Sequence, residues 1–319
     1  ANRLCTFGFK RPKSMHQKHV DKGLPRKTSW HKPCIRVESH FPFKGFHMKK
    51  IQFKLLAAAA LAVCSFQVLA QDKPADPPAS PVSYNLGVVT EYRYRGLAQS
   101  SFKPALQGGV DYTSPSGFYM GTWISTIDWI KDDGKKHTPA GVTTVTDTGS
   151  TNLEIDLYGG YKGALSNGGA FDVGVLQYYY PSNQYSKLGS ANANANTFEI
   201  YGAITAGPIT VKYSRSLSNL FGLANSKGSG YLDLSATFDL GNGFSLVPHV
   251  GRQNISGAAN SVYSYTDWSI TVNKDLGNGL SASLMAVQTT NQNNWLSSDD
   301  LNNKSKGKGA LVAGLKYAF

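Results

Sequence analysis

Apolar and polar residues alternate along most of the chain beyond residue 82. The clearest stretch is 231–240, YLDLSATFDL, in which every second residue is apolar, and 152–158, NLEIDLY, follows the same rule. Successive side chains of a β-strand point to opposite faces, so a period of two predicts strands with one apolar and one polar face. No stretch of this region has the period of a helix. The pattern therefore predicts an all-β protein.

Twelve strands are predicted from this alternation, and most of them are 10–14 residues long. A tilted strand needs about 9–11 residues to cross a bilayer, whereas strands of globular proteins typically have about 5–6. The lengths therefore favour a membrane barrel. The predicted strands are 82–95, 103–113, 117–130, 151–163, 170–181, 196–206, 208–217, 229–240, 243–255, 263–276, 279–290 and 309–319.

The connections between the predicted strands alternate strictly between short and long. The short ones, such as the GNG sequences at 241–243 and 277–279, are made of the residues that tight hairpin turns prefer. Up-and-down membrane barrels with short periplasmic turns and long outer loops have this arrangement. An even strand number also returns both ends of the barrel to the periplasmic side. The long connections are 96–102, 131–150, 182–195, 218–228, 256–262 and 291–308.

A soluble β-sandwich would show the same alternation with its apolar face inward. The last strand favours the membrane alternative, because it ends the chain on Phe319, with Leu315 and Tyr317 on the same apolar face, as in outer-membrane barrels. The predicted fold is an all-β transmembrane antiparallel up-and-down β-barrel of about 12 strands, spanning residues 82–319. Its last strand is expected to pair with its first, which places Lys316 and Glu91 on neighbouring strands.

Charge and cysteine content separate the barrel region from the start of the chain. Residues 1–70 hold 14 Lys and Arg against two acidic residues, and also all three cysteines. Residues 71–319 hold 18 Lys and Arg and 18 Asp and Glu, so their net charge is zero. The net charge of +12 therefore does not indicate a nucleic-acid partner. The barrel region has neither disulfides nor thiolate metal sites.

A secretory signal peptide is predicted at 48–70. Lysines follow Met48, an apolar segment runs from Leu55, and small residues precede a cleavage site between Ala70 and Gln71. A lipoprotein signal ending at Cys64 is the weaker alternative. Residues 1–47 are interpreted as an upstream extension absent from the mature protein, and 71–81 as a flexible linker.

Residues on the polar faces of the predicted strands are expected to line the lumen. Carboxylates outnumber cations among them by about two to one, which predicts either an aqueous pore with a weak preference for cations or a salt-bridged plug. An eight-stranded barrel is filled by side chains and a sixteen-stranded one holds a channel, so twelve strands leave both open. The candidates are Glu91, Arg93, Arg95, Asp111, Asp128, Glu154, Asp156, Asp172, Glu199, Lys212, Asp233, Asp239, His249, Asp267 and Lys316.

The sequence EYRYRG at 91–96 is the densest charged candidate. Arg93 and Arg95 are expected either to attract anions or to pair with carboxylates of adjacent strands. Aromatic residues at strand ends are interpreted as an interfacial girdle. These are Trp123, Trp129, Tyr161, Tyr179, Tyr213, Trp268, Tyr317 and Phe319.

Catalysis has little support in the sequence. His249 is the only histidine on a predicted strand, and a dyad with Ser245 or Asp239 lacks any surrounding motif. No phosphate loop, metal-ligand spacing or nucleic-acid motif is present. The chain is therefore expected to be a non-enzyme that needs no cofactor and no metal.

Several segments resemble one known family. The segments YRYRGLAQS at 92–100, PALQGGVDY at 104–112 and SGFYMGTW at 116–123 carry the resemblance, together with EIDLYGGY at 154–161 and YYYP at 178–181. Over roughly 83–319 they are similar to the TorF family, exported proteobacterial proteins to which a porin role is ascribed. The resemblance implies an outer-membrane barrel and a channel, and it supplies neither a substrate nor site residues.

The function predicted from these observations is an outer-membrane channel of a Gram-negative bacterium for passive diffusion of small polar solutes or ions. The alternative is a non-conducting barrel that serves as a structural anchor or adhesin through its outer loops. The expected partners are outer-membrane lipid and lipopolysaccharide, the barrel assembly machinery and the solutes themselves. The oligomeric state, including a homo-oligomer, is left open.

Overall fold

The computed structural model describes residues 80–137, 143–166, 168–295 and 304–319. The predicted upstream extension, the signal peptide with its cleavage site at Ala70 and Gln71, and the linker up to residue 79 lie outside the described residues. Only the end of the linker and the barrel can be compared with the predictions.

The described chain forms one antiparallel sheet that closes on itself. Each strand pairs with the next along the chain, and β12 pairs with β1, so the predicted twelve-stranded barrel is confirmed. The strand β8 is followed by a short continuation, Phe238–Gly241, that also pairs with β9. The strands are β1 Val82–Val89, β2 Ala105–Thr113, β3 Phe118–Thr126, β4 Leu153–Ala164, β5 Ala170–Tyr179, β6 Thr197–Ala206, β7 Ile209–Ser216, β8 Gly230–Ala236, β9 Phe244–Asn254, β10 Tyr265–Gly277, β11 Leu280–Thr289 and β12 Ala310–Ala318.

The predicted alternation of short and long connections is also confirmed. All short turns lie at one end of the barrel, called here the short-turn end, and all long connections lie at the other, the long-loop end. Two of the short turns place Asn242 and Asn278 at φ 53° and 51°, each followed by a glycine with positive φ. Such angles at both central residues define the type I′ hairpin turn, which explains the repeated GNG sequence.

Two strands are shorter than predicted because the chain leaves the wall early. β1 ends at Val89 instead of residue 95, and β3 ends at Thr126 instead of residue 130. After β3 a short helix, α1, spans Trp129–Asp133. The long connections also contain a small hairpin, Lys135–His137 with Thr143–Val145, and the 3₁₀ turns Tyr185–Leu188, Ser261–Tyr263 and Gln292–Asn294.

The two faces of the wall differ in chemistry. On the outer face, large apolar side chains are exposed on every strand, for example Ile204 at 58% and Leu284 at 52%. The inner face carries tyrosines and charged groups that are mostly buried. Such an outer face suits lipid, since monomeric soluble proteins rarely expose apolar patches of more than a few hundred Å². Among the described residues, no helix is both long and apolar enough to cross a membrane.

Inward-facing tyrosines lie over glycines of neighbouring strands. A β-carbon at Gly121 would be only 2.6 Å from Tyr158 Cε2, and one at Gly174 would be 2.5 Å from the Tyr201 hydroxyl. The missing side chains make room for the rings to lie against the wall. The tyrosine hydroxyls are thereby held in the lumen, where they bond the charged groups described below.

An arginine on the outer face should destabilise the barrel much more than one on the inner face. Leu234→Arg is expected to lower the free energy of unfolding from lipid vesicles by roughly 2–4 kcal/mol, because the guanidinium would face the acyl chains. Denaturant titration followed by tryptophan fluorescence measures the loss.

The matched control is Ser235→Arg. Ser235 is the next residue of β8, lies on the inner face and is partly exposed, so the new side chain would enter the lumen. It should cost clearly less than Leu234→Arg. Equal losses for the two variants would contradict the assignment of Leu234 to lipid.

Candidate functional site: the hairpin inside the lumen

The first long connection, residues 90–104, folds into the lumen at the long-loop end. Within it, Arg93–Tyr94 pairs with Leu97–Ala98 as a two-residue hairpin. Arg95 and Gly96, at the turn, have φ 46° and 78°, which again defines a type I′ turn. The hairpin 90–104 therefore presents the Arg95 side chain at its tip.

Arg95 makes the strongest set of contacts inside the barrel. Its guanidinium binds Glu199 on β6 through two bonds, Nη1 to Oε1 at 3.0 Å and Nη2 to Oε2 at 2.7 Å. Nη1 also donates to Oε1 of Gln253 on β9 at 2.9 Å, and the group lies 4.3 Å from the ring centroid of Tyr231. A forked pair of this kind fixes direction as well as charge. Arg95 therefore fastens the hairpin 90–104 to the wall across the lumen.

The neighbours of Arg95 reach other strands. The Tyr92 hydroxyl donates to Glu154 Oε1 on β4 at 2.7 Å, and the Tyr94 hydroxyl bonds that of Tyr178 on β5. A β-carbon at Gly96 would lie 2.5 Å from Thr289 Cγ2 and 2.7 Å from Cβ of Asp267. The hairpin thus crosses the lumen near the long-loop end and touches the wall on several sides.

These contacts correct the prediction for 91–96. Glu91 and Arg93 are not wall positions of β1, and their ion pair, Arg93 Nε to Glu91 Oε1 at 2.6 Å, lies within the hairpin 90–104. Arg93 also donates to the backbone oxygens of Gly96, Lys306 and Lys308. The prediction that Glu91 and Lys316 lie on neighbouring strands is wrong, because β1 ends at Val89 and Lys316 is opposite Gly87 on β1. Arg95 does pair with a carboxylate, but on β6 rather than on an adjacent strand.

Two acidic residues of β4 lie below the hairpin 90–104. Glu154 accepts bonds from Tyr92 and from the Tyr180 hydroxyl at 2.8 Å. Asp156, two residues further, has no exposed surface, and neither of its carboxylate oxygens has a hydrogen-bond partner among the described residues. Burial without partners is costly for a carboxylate, so Asp156 marks a point where the interior is under electrostatic strain.

Closer to the short-turn end, carboxylates and lysines alternate around the lumen. Asp172 accepts from the Tyr119 hydroxyl at 2.5 Å, and Asp111 accepts from Tyr158. The ammonium of Lys212 lies 3.9 Å from the ring centroid of Tyr201. The partners of these charges are mainly tyrosine hydroxyls and rings, which can be exchanged for water.

His249 does not form the dyad considered from the sequence. Its Nε2 lies 2.8 Å from Asp233 Oδ2, and its Nδ1 lies 3.7 Å from Asp267 Oδ1. The Tyr231 hydroxyl bonds both oxygens of Asp267. Ser245 instead accepts from Asn273 Nδ2 at 3.3 Å. The histidine is thus part of a structural network of charges, with carboxylates rather than a serine at its ring nitrogens.

Three further predicted positions lie elsewhere than expected. Asp128 is not on a strand but precedes α1 and pairs with Lys103, 3.2 Å away, at the protein surface. Trp123 and Trp129 are not girdle residues, since both are buried inside, Trp123 against Tyr92 with ring centroids 5.4 Å apart. The other six predicted girdle residues have 37–65% of their surface exposed.

No group of three or more His, Cys, Asp or Glu side chains among the described residues is arranged to hold a metal ion. The candidate site is the lumen crossed by the hairpin 90–104, which Arg95 binds to Glu199. Sequence reasoning missed this hairpin, and the one available signal was the glycine at position 96, where a type I′ turn requires positive φ.

Comparison with known proteins places the chain in a family. The model of a bacterial protein family of unknown function, Gcw_chp, matches residues 73–319, and the chain belongs to this family. The family description carries neither the TorF name nor a channel activity, so both stay predictions. No curated protein sequence matches the chain.

Solved structures with similar folds are porins and channels. The KdgM porin shares 6% identity over 75% of this chain and 98% of its own, with a TM-score of 0.41. The NanC porin shares 7% over 75% and 98%, with a TM-score of 0.42. An outer-membrane channel from Pseudomonas putida F1 shares 13% over 78% and 99%, with a TM-score of 0.39. At these values the similarities carry no argument about function.

Loss of the Arg95 clamp should loosen the hairpin 90–104 and leave the wall intact. In Arg95→Met, the amides of Ala98 and Gln99, which donate to Lys306 and Tyr92, should exchange hydrogen at least about tenfold faster. The amide of Ile200 on β6 should be unaffected. Hydrogen–deuterium exchange read by mass spectrometry measures both.

Arg252→Met is the control, because Arg252 is exposed on the outer face of β9, next to Gln253. It should not change exchange in the hairpin 90–104. Equal protection of Ala98 in the wild type and in Arg95→Met would show that the clamp does not hold the hairpin.

Replacing the carboxyl group of Asp156 should stabilise the protein. Asp156→Asn keeps the volume and removes an unpartnered buried carboxyl, whose burial costs free energy either as a desolvated charge or through the protonation that relieves it, so the free energy of unfolding should rise by on the order of 2 kcal/mol. Asp239→Asn makes the same substitution at an exposed position, and it should change the free energy of unfolding by less than about 0.5 kcal/mol. A clear loss of stability in Asp156→Asn would mean that the carboxylate is favourably bound.

Proposed function

We propose that this member of the Gcw_chp family is a channel of the bacterial outer membrane, through which small polar solutes or ions diffuse passively when the hairpin 90–104 moves aside. The observation that carries the proposal is the chemistry of the lumen. Charged groups and tyrosines line a closed barrel whose outer face is apolar. A purely structural anchor would be served as well by an apolar interior, which costs less to bury.

Several contacts that hold the hairpin 90–104 across the lumen are polar, which supports its movement, and Tyr92 and Tyr94 add ring contacts to the wall. Arg95 with Glu199, Tyr92 with Glu154 and Tyr94 with Tyr178 are all bonds that water can replace when the hairpin leaves. The net free energy of such exchange is small, about 0.5–1.5 kcal/mol for a typical bond and about 1.5–3 kcal/mol for one to a charged group. In this proposal, the hairpin 90–104 is the gate.

The half of the lumen near the short-turn end has a polar lining that suits a water-filled space. Small polar side chains face inward there, and all are at least partly exposed: Ser83, Thr113, Ser235, Ser245 and Ser269. Carboxylates and lysines are nearly balanced in this half, with Asp111, Asp172 and Asp233 facing Lys162, Lys212 and Lys316. The weak preference for cations stays a prediction, because Glu154 and Glu199 are engaged by the hairpin 90–104 in the closed state.

Export and assembly are part of the proposal. The signal at 48–70 would direct the chain out of the cytoplasm, and cleavage after Ala70 would leave a mature protein that begins at Gln71. The terminal strand with Phe319 suits recognition by the barrel assembly machinery. Lipid and lipopolysaccharide would then cover the apolar outer face.

Conductance should depend on the Arg95 clamp. Protein refolded from Gln71 onward should give discrete current steps in planar bilayers, and the closed state should dominate in the wild type. Arg95→Met should raise the open probability several-fold, because the hairpin 90–104 loses its bond to Glu199.

Arg252→Met should behave like the wild type in the same recordings. The absence of steps in both the wild type and Arg95→Met at high salt would reject the channel. That result would favour the non-conducting anchor or adhesin instead.

A further inference from the structure

The charged side chains on the outer face of the barrel are all cations. Every Asp and Glu of strands β1–β12 lies on the inner face, whereas Arg215, Arg252 and Lys274 lie on the outer face. Lys274 is at the short-turn end, where it donates to the Asn242 oxygen of the neighbouring turn. Arg215, on β7, and Arg252, on β9, are at the long-loop end. Most of the positive charge of the outer face is therefore concentrated there, on either side of β8.

The two long loops nearest to Arg215 add to this charge. The loops 217–229 and 255–264 contain the exposed Lys227 and no acidic residue, and the sequence has no Asp or Glu from 200 to 232. Within the described part of the chain, neither Arg215 nor Lys227 has an ion pair or a side-chain hydrogen bond. A positive surface without counter-charges of its own favours an anionic partner.

The guanidinium of Arg215 lies where the two loops meet. A β-carbon at Gly228 would be 3.3 Å from its Nη2 and 3.7 Å from the hydroxyl oxygen of Ser256, so both groups border the same glycine. The loops are joined at this point, because the Ser256 amide donates to the Ser229 hydroxyl at 2.9 Å. Lys227 immediately precedes Gly228. A guanidinium, a hydroxyl and an ammonium in this arrangement are donors that suit the oxygens of a phosphate group.

The position of Arg215 along β7 matches the headgroup layer of a membrane. Tyr213, two residues closer to the short-turn end on the same face, is 47% exposed, as expected of a girdle residue. Aromatic girdles lie at the boundary between acyl chains and headgroups, and two residues of a strand span about 7 Å. Arg215 therefore lies beyond the acyl chains, while Tyr213 and the neighbouring Leu232 present an apolar surface to them.

We propose that Arg215, Lys227 and Ser256 bind a phosphate group of lipopolysaccharide, the phosphorylated glycolipid of the outer leaflet. The phosphate oxygens accept from the guanidinium, the ammonium and the hydroxyl, and the acyl chains lie on the apolar face of β7 and β8. The long loops of outer-membrane barrels are extracellular, which puts the site in the outer leaflet. The inference rests on the proposed function for the outer-membrane location alone, and conduction is not part of it.

Native mass spectrometry of the detergent-solubilised, refolded protein, titrated with bisphosphorylated lipid A, tests the proposal. The wild type should bind lipid A. Phosphatidylglycerol should bind at least about tenfold more weakly, because its phosphodiester has fewer free oxygens and less charge than a phosphate monoester. Arg215→Met should weaken lipid A binding about tenfold, and Lys227→Met about fivefold. Arg215→Lys keeps the charge without the forked donors, so its loss should be smaller than that of Arg215→Met.

Arg252→Met is the charge-matched control. Arg252 is separated from Arg215 by β8, which means two strand spacings of about 5 Å each. Its guanidinium already donates to Asn254 and Thr266, both at 3.2 Å. At an ionic strength of about 0.15 M the Debye length is about 8 Å, so loss of this charge should change lipid A binding by less than about twofold.

The electrophoretic shift on heating shows whether each variant is folded, and the comparison of the two lipids in the wild type needs no variant. The proposal is overturned if lipid A does not bind, if phosphatidylglycerol binds as tightly, or if Arg252→Met weakens binding as much as Arg215→Met. Conductance in bilayers free of lipopolysaccharide separates the two claims. Steps without lipid A binding reject only this inference, whereas lipid A binding without steps supports the site and rejects the channel.

Discussion

The bond between Arg95 and Glu199 is the interaction on which the interior of this barrel depends. It joins the tip of a loop to the opposite wall, and both side chains are almost fully buried, with exposed fractions of 6% and 2%. Neither charge is tolerable there without the other. In the proposed channel, the hairpin 90–104 would therefore be either seated with its arginine on Glu199 or displaced with both groups hydrated, and intermediate positions would be unfavourable. A two-position element of this kind is what a gate requires.

The hairpin 90–104 occupies part of the interior space that the side chains of a twelve-stranded wall leave unfilled. A barrel of this size is too wide for wall side chains to fill, and it is narrower than the large porins that hold an open channel. Tyrosines that lie over wall glycines, such as Tyr158 over Gly121, fill part of the space while keeping a polar group at each tip. The hairpin 90–104 crosses the remaining space at the long-loop end. In the proposed channel, its displacement would be a local change and not a rearrangement of the barrel.

The barrel could be predicted from the sequence, because lipid on one side and polar groups on the other impose a strict period of two. The short turns could also be predicted, since the GNG sequences supply the positive φ of type I′ turns at Asn242 and Asn278. The hairpin 90–104 was not, because EYRYRG alternates as a wall strand does. A hairpin that leaves the wall also shows an alternation of period two. In addition, arginine is an unusual residue at the first central position of a type I′ turn, where Arg95 lies. Trp123 was misassigned for a simpler reason: Met120 and Ile124 mark the even positions of β3 as lipid-facing, so Trp123 must point inward.

The rest of the site could not be predicted from the sequence, because it depends on contacts between distant segments of the chain. Glu154, Asp156 and Glu199 are all recognisable as inward positions of their strands, but their different states are set by residues that alternation does not locate. Glu154 has two tyrosine donors, Glu199 has Arg95, and Asp156 has neither.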